Sequence, residues 1–141
     1  MTDSVKGRIW RIIYTGEPAT AARRSTPAAS FAAPDDKSRG AQLYQQTCAA
    51  CHMPDGSGVP GMHPSLAASA VVSGDPSTLI RVVLHGPAQA LPPNRPRYAT
   101  VMPPFGAAFN DADIAETLTF TRRAFGKGAS AITPAQVAKE R

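Results

Sequence analysis

The sequence contains few aromatic residues, only two cysteines and no long apolar run. Aromatic residues make up 6% of its 141 positions, and the two cysteines stand three positions apart. A pair this close in sequence cannot close a useful loop, so a disulfide framework is excluded. No stretch of 18 apolar residues occurs, so no segment is expected to span a membrane. The scarcity of aromatic side chains leaves little mass for a core, which a large buried prosthetic group would supply.

The basic excess is small and lies mostly at the two ends of the chain. Of the net charge of +5, residues 1–38 carry +2, residues 39–125 carry +1 and residues 126–141 carry +2. No block of lysine and arginine is long enough for a nucleic-acid interface, and no aromatic residues interleave with one. A nucleic-acid partner is therefore not expected.

The first 38 residues divide into a short strand and a linker. Trp10, Ile12 and Tyr14 recur at every second position, which predicts an orphan β-strand within residues 1–15. Residues 16–38 are rich in alanine, proline, serine and threonine without periodicity, which predicts a flexible linker. The N-terminus also lacks the apolar core of a secretory signal.

Residues 39–126 have the pattern of short helices joined by irregular loops. Small and apolar residues at helical spacing after Ser38 predict a helix that runs into Cys48. Residues 53–74 contain four glycines and three prolines and are expected to form a loop. The pair Asp75-Pro76 predicts the start of a helix that Gly86 ends, and the six prolines of residues 87–104 prevent continuous helix there.

Two further helix signals lie near the C-terminus. Asn110 is expected to cap a helix that Gly126 ends. Its predicted buried stripe consists of Ile114, Leu118, Thr121 and Phe125. Residues 127–141 are interpreted as a C-terminal tail in which Thr133-Pro134 begins one short helical turn.

The strongest chemical signal is the run Cys48-Ala49-Ala50-Cys51-His52. Two thiols at this spacing can each add across a vinyl group of one porphyrin, and the adjacent histidine can bind the iron. The run therefore predicts one covalent c-type haem. Two other chemistries share the cysteine spacing. A redox dithiol would need a βαβ setting, which is absent from the pattern, and a zinc site would need ligands that His63 and His85 do not offer at a recognised spacing.

The second iron ligand is expected to be Met102, in a stiff proline-containing run before the last main helix. A thioether suits iron that cycles between the ferrous and ferric states, and it raises the reduction potential. Met53 follows the ligand histidine directly and can hardly reach the opposite face of the ring, and Met62 lies in the loop expected on the histidine side. The alternative is an open iron position, which would make the protein a haem peroxidase or a gas-binding protein.

Several other residues are candidates for contacts around the haem. A carbonyl in the segment that begins at Pro64 is expected to accept a hydrogen bond from His52 Nδ1–H, which would orient the ring. Arg97 and Tyr98 are the best placed partners for the haem propionates, because a carboxylate prefers a bidentate guanidinium. Arg81 and Arg95 are weaker candidates for that role. His63 and His85 are interpreted as surface or capping residues.

Residues 39–126 resemble a class I cytochrome c. The resemblance is carried by Gly40-x-x-x-Tyr44, the Cys48–His52 run, Pro64-x-Leu66, Met102-Pro103 and the last helix with Leu118 and Phe120. It implies an all-α cytochrome c fold, in which three to five short helices surround one covalent haem and an extended segment precedes them. It also implies His52 and Met102 as ligands, Cys48 and Cys51 as attachment points, and close contact between Gly40, Tyr44 and the last helix.

A more specific resemblance concerns the partners. Residues 72–86 and 102–106 are similar to the cytochrome subunits and domains of bacterial periplasmic alcohol, sugar and aldehyde dehydrogenases. That similarity implies a dehydrogenase domain or subunit as electron donor, and another cytochrome or a terminal oxidase as acceptor. Residues 7–14 resemble the closing strand of a β-propeller in quinoprotein sugar dehydrogenases. A periplasmic location is expected although no signal peptide is visible, so the chain is interpreted as the tail of a larger exported protein, with a misassigned start as the alternative.

Overall fold

The computed structural model describes residues 2–3, 8–9, 35–67 and 69–141. Near the N-terminus, strands β1 (Thr2–Asp3) and β2 (Arg8–Ile9) pair antiparallel, with Thr2 opposite Ile9. The predicted strand face of Trp10, Ile12 and Tyr14, and most of the predicted linker, lie outside the described residues. The division of residues 1–38 into strand and linker therefore stays a prediction.

From residue 35 onward, the regular structure of the described chain is helical, which confirms the all-α class. The elements are α1 (Arg39–Leu43), a π-helical turn (Tyr44–Cys48), α2 (Ala49–His52), α3 (Ala70–Ser73), α4 (Pro76–His85), α5 (Pro87–Ala90), α6 (Asp111–Phe125) and α7 (Pro134–Glu140). The predicted helix that runs into Cys48 is present as the continuous stretch from α1 to α2. The described helices are more numerous than the three to five expected, because α2, α3 and α5 are single turns of four residues each.

The helix starts that the sequence predicts are formed by side-chain caps. Asp75 accepts a hydrogen bond from the Thr78 amide at 2.9 Å, and Asn110 accepts one from the Asp113 amide at 2.8 Å. Thr133 forms a capping box with Gln136 at the start of α7. Each cap satisfies an amide that the first helical turn leaves without an intrahelical partner, so these three signals located their helices correctly.

The prediction that residues 53–74 are entirely loop is wrong for Ala70–Ser73, which form α3. No capping side chain marks its start, so no local signal revealed it. The turn is held by tertiary contacts: Val72 is buried in the core, and the buried Arg122 donates to the carbonyl oxygens of Val72 and Gly74 at 3.0 and 2.9 Å. Packing decides the structure of so short a helix.

The core consists of two clusters that meet along α6. The larger cluster contains Val72, Leu79, Ile80, Leu84, Ile114, Ala115, Leu118, Ile132 and Val137. The smaller cluster contains Ala41, Tyr44, Ala49, Phe120 and Phe125, with the Tyr44 ring 5.3 Å from Phe120 and 5.2 Å from Phe125 between centroids. The predicted stripe of α6 is buried throughout. Tyr44 meets the last main helix, as the family resemblance implied.

The C-terminal helix is part of this core. Val137 of α7 is fully buried, and Ile132 in the preceding segment is 5% exposed. Both pack in the larger cluster with residues of α4 and α6. The short helix predicted after Thr133 is present, and the packed structure extends past residue 126.

Arg122 gives a testable prediction about stability. Its guanidinium is buried, and its hydrogen-bond partners among the described residues are all neutral: three carbonyl oxygens, on Val72, Gly74 and Ser130, and the Ser130 hydroxyl. Arg122→Met should lower the free energy of unfolding by about 2 kcal/mol, because buried carbonyls lose their donors. Denaturant unfolding measures this loss. Arg123→Met, at an exposed position one residue on, is the control and should cost less than about 1 kcal/mol; equal losses would contradict the prediction.

Candidate haem site

A cavity of about 990 Å³ lies between the α1–α2 stretch, α4, α6 and the loop that precedes α6. Most of its wall is aliphatic and includes Leu43, Leu66, Val71, Leu79, Val82, Val83, Leu91, Ile114 and Leu118. His52, Cys48 and Met102 also line it. Its volume is at the upper end of the roughly 300–1,000 Å³ typical of small-molecule sites. A large, flat, apolar group with one or two polar attachment points fits such a cavity.

His52 is oriented by the backbone of Pro64. The side chain is buried, and Nδ1 lies 2.9 Å from the Pro64 carbonyl oxygen. A carbonyl can only accept, so Nδ1 carries the proton and Nε2 keeps its lone pair. Burial is the main cause that lowers the pKa of His52; the nearby His63 lowers it further, and the Pro64 hydrogen bond partly offsets both. The ring is therefore held neutral, which is the form that binds a metal.

The two cysteines differ in their surroundings. Both are half-buried, but Cys48 lines the cavity and Cys51 is not part of the lining. Burial, followed by the proximity of Cys51, raises the pKa of the Cys48 thiol to about 11. Redox-active dithiols and zinc ligands are favoured by the opposite shift, toward thiolate. Among the described residues, no three of His, Cys, Asp and Glu cluster as a metal site.

The segment that carries the cysteines and the histidine is held at both ends. At its start, the π-helical turn Tyr44–Cys48 widens the helix, and the amide of its C-cap residue, Ala49, donates to the Tyr44 carbonyl. After it, the Tyr44 hydroxyl donates to the Met53 carbonyl at 2.7 Å, where Met53 has a φ of 64°. Non-glycine residues rarely adopt this φ, so the contact with Tyr44 helps to hold the chain where it leaves the helix.

Gly58 is a site residue that sequence analysis missed. Its amide donates to the His52 carbonyl at 3.0 Å, and its φ is +65°. A Cβ atom there would lie 2.6 Å from the carbonyl oxygens of both His63 and Pro64. Gly58 therefore lets the Pro64 carbonyl approach His52. The only signal in the sequence was a glycine at alternate positions in a loop, which is too common to single out.

Of the three methionines near the site, Met102 is the one that lines the cavity. It is half-buried, whereas Met62 is 48% exposed and lies outside the lining, as does Met53. The loop of Met102 is joined to the histidine-side loop, because the amides of Ala99 and Thr100 donate to the carbonyls of Gly61 and Met62 at 3.0 and 3.4 Å. The structure thus brings Met102 and His52, 50 positions apart, to one cavity.

The polar residues predicted around the haem separate into two groups. Arg95, Arg97 and Tyr98 line the cavity, and Arg97 and Tyr98 are exposed at its edge. Arg81 is outside the lining and pairs with Glu140 at 3.1 Å, which removes it as a candidate.

The two remaining histidines lie outside the cavity lining. His85 donates through Nε2 to the Glu140 carbonyl at 2.9 Å, so it has a capping contact as expected. His63 Nδ1 is buried without a hydrogen-bond partner among the described residues.

The described helices include none that is long and apolar enough to cross a bilayer.

Comparison with known proteins also points to a cytochrome c. Residues 35–120 match the family described as cytochrome c oxidase, cbb3-type, subunit III. The gluconate 2-dehydrogenase cytochrome c subunit of Pantoea cypripedii is 38% identical over 104 residues, covering 72% of this chain and 23% of that protein. The cytochrome c subunit of the quinone alcohol dehydrogenase of Gluconobacter oxydans (strain 621H) is 41% identical over 92 residues, covering 64% of this chain and 19% of that protein.

A smaller relative is matched over most of its length. Cytochrome c-552 of Thermus thermophilus is 34% identical over 111 residues, covering 72% of this chain and 83% of that protein. By contrast, the chain spans only about a fifth of the length of the two dehydrogenase subunits. From the family match and the site geometry together, the chain belongs to the cytochrome c family and is a haem-dependent electron-transfer domain.

Proposed function

We propose that the domain binds one haem c covalently through Cys48 and Cys51, with His52 and Met102 as its axial ligands, and carries single electrons between proteins. One observation carries this proposal: Cys48, His52 and Met102 line the same large apolar cavity. Haem bound there supplies a one-electron couple between ferrous and ferric iron. His/Met ligation would place that couple at a higher potential than ligation by two nitrogen donors.

The residues of the chain prepare the site in complementary ways. The Pro64 carbonyl fixes the His52 tautomer and makes the ring a better donor to a metal. The aliphatic wall keeps water away from the ligands. Arg97 and Tyr98, exposed at the edge of the cavity, are proposed as partners of the propionates, because a guanidinium can bind a carboxylate through two parallel hydrogen bonds.

The proposed electron donor is a dehydrogenase, as a separate subunit or as a domain of the same protein. Support comes from the two relatives named as cytochrome c subunits of gluconate and alcohol dehydrogenases. The proposed acceptor is another cytochrome or a terminal oxidase of the respiratory chain. A periplasmic location follows from such a role, and residues 16–38 are proposed as a tether that would keep the haem at roughly millimolar effective concentration near its donor.

Replacement of Met102 tests the ligation. Met102→Ala in the haem-loaded protein should abolish the weak red-edge absorption band of ferric haem with a thioether ligand. It should also lower the reduction potential and allow the ferrous protein to bind carbon monoxide rapidly, because the sixth position becomes open. The measurements are an absorption spectrum, a redox titration and carbon monoxide mixing.

Met62→Ala is the matched control, because Met62 is an exposed methionine outside the cavity. Its spectrum, potential and carbon monoxide binding should equal those of the unmodified protein. A high-spin spectrum and rapid carbon monoxide binding in the unmodified protein would refute the carrier proposal and favour the open-site haem enzyme.

A further inference from the structure

Arg141 contacts the segment that follows the Met102 loop. Residues 134–141, here named the C-terminal strap, comprise α7 and Arg141. The Arg141 guanidinium donates to the Gly106 carbonyl at 2.5 Å and to the Phe109 carbonyl at 2.7 Å, and pairs with Asp111 at 2.5 Å. One side chain thus spans both ends of the segment that joins the Met102 loop to α6.

The strap is also fixed to α4, through residues that precede Arg141. Val137 is fully buried against the core, and Glu140 contacts two residues of α4. The Glu140 carboxylate pairs with Arg81, and its carbonyl accepts from His85. The strap therefore connects α4, which lines the cavity, with the segment that follows Met102.

The Met102 loop, residues 101–104, is held by backbone hydrogen bonds at its two ends, which are here named the first and second anchors. At its start, the Ala99 and Thr100 amides donate to the histidine-side loop. At its end, the Phe105 and Gly106 amides donate to the Val83 and Leu84 carbonyls of α4 at 2.8 and 3.2 Å. Between the anchors, the described structure has no backbone hydrogen bond on residues 101–104. The position of Met102 is then set by the anchors and by the stiffness of Pro103 and Pro104.

Arg141 reinforces the second anchor from its other side. Gly106 donates through its amide to Leu84 and accepts through its carbonyl from Arg141. A Cβ atom on Gly106 would lie 2.9 Å from the Leu84 carbonyl oxygen, so the segment sits close against α4. Loss of the Arg141 contacts would let residues 105–109 separate from α4 more often.

We propose that the C-terminal strap, through Arg141, positions Met102 and limits how often the methionine leaves the iron. This inference rests on the proposed His52/Met102 ligation. Arg141 is a positioning residue that acts through the segment 105–109 and touches neither ligand. Opening at the second anchor lengthens the free loop, and a longer free loop releases its methionine more readily.

The test is the rate at which cyanide displaces the methionine in the ferric, haem-loaded protein. At high cyanide concentration this rate is limited by departure of the methionine. Arg141→Gln removes two charge-assisted hydrogen bonds and an ion pair and should accelerate displacement about fivefold. Arg141→Lys keeps the charge without the fork of donors and should give an intermediate rate.

Arg39→Gln is the matched control. Arg39 forms an ion pair of the same kind at the start of α6, with Asp113 at 2.6 Å, and among the described residues it forms no hydrogen bond or ion pair with residues 105–109. It should leave the displacement rate within about twofold. Hydrogen exchange of the Phe105 and Gly106 amides supplies a second measurement, and it should accelerate in Arg141→Gln alone.

Each outcome of the test decides the matter. Equal acceleration in Arg39→Gln and Arg141→Gln would show general loosening and overturn the role of the strap. Faster amide exchange in Arg141→Gln with an unchanged displacement rate would also overturn it, because the anchor would then not control the ligand. If the unmodified protein lacks the thioether band, the proposed ligation itself fails, and the unmodified spectrum identifies that case before any variant is compared.

Discussion

Replacing Cys48 and Cys51 together with alanine is expected to abolish covalent haem and to prevent the domain from folding stably. The cavity of about 990 Å³ sits inside the helical part of the chain, between α4, α6 and the α1–α2 stretch. Without a group to fill it, aliphatic side chains on several elements would face water or an empty space. Loss of packing of this extent costs far more than the 2–5 kcal/mol of a single large core truncation. A chain of this size has about 5–15 kcal/mol of stability to lose.

The measurement is a haem stain on a denaturing gel, followed by far-ultraviolet circular dichroism of the same samples. Haem held by thioether bonds survives denaturation, so the unmodified protein should stain and the double variant should not. Each single variant should stain weakly, through one remaining thioether. Gln46→Ala is the control, because Gln46 is exposed on the π-helical turn just before Cys48, and it should stain fully. A stained double variant would contradict covalent attachment at these residues.

The parts of the fold that the sequence predicted are those with local causes. Caps at Asp75, Asn110 and Thr133 and a stop at Gly86 mark helices through bonds between near neighbours, so reading the sequence finds them. The helix α3 has no capping bond of its own and depends on Arg122, 50 positions from Val72. A contact of that separation leaves no mark on the local sequence. The loop prediction for residues 70–73 failed for this reason.

The residues of the haem site likewise fall into those that a local pattern indicates and those that depend on distant contacts. The run from Cys48 to His52 identifies its own chemistry, since the spacing of the thiols and the imidazole matches one porphyrin. The sequence also predicts the hydrogen bond of His52 to the segment that begins at Pro64, and the His52 Nδ1 atom lies 2.9 Å from the Pro64 carbonyl oxygen. Gly58 is required by the carbonyls of His63 and Pro64, which are tertiary neighbours that the local sequence does not indicate. Arg81 differs from the other candidate propionate partners because its guanidinium pairs with Glu140, 59 positions away. The local sequence does not indicate that pair.

The order of the C-terminal region was also hidden from sequence analysis. Residues 127–141 contain two large aliphatic side chains, Ile132 and Val137, and the sequence predicts a tail with one helical turn. The structure buries Ile132 and Val137 in the main core, and polar contacts of Glu140 and Arg141 attach the end of the segment. Two contacts of Arg141 are with backbone carbonyls, which every sequence offers, and the third is with Asp111, 30 positions away, so no local pattern indicates them.

Gly40→Ala is expected to destabilise the domain by about 3 kcal/mol or more, although it places a better helix former in α1. Alanine in a helix normally contributes about 1 kcal/mol of stability over glycine. At Gly40, however, the new Cβ atom would lie 2.2 Å from the Glu116 carbonyl oxygen and 2.7 Å from its carbonyl carbon. These are backbone atoms of α6, which cannot rotate away, so α1 and α6 must separate.

That separation would reach the haem site, because α1 continues without a break into the π-helical turn and α2, which carry Cys48 and His52. It would also pull Tyr44 away from Phe120 and Phe125. Denaturant unfolding of the haem-loaded protein measures the loss. Gly61→Ala is the control, since a Cβ atom there meets nothing within 4 Å and costs only the strain of a φ of +75°, about 1–2 kcal/mol. If Gly40→Ala proved as stable as the unmodified protein, helix propensity would outweigh the contact and α1 would not be pressed against α6 at this point.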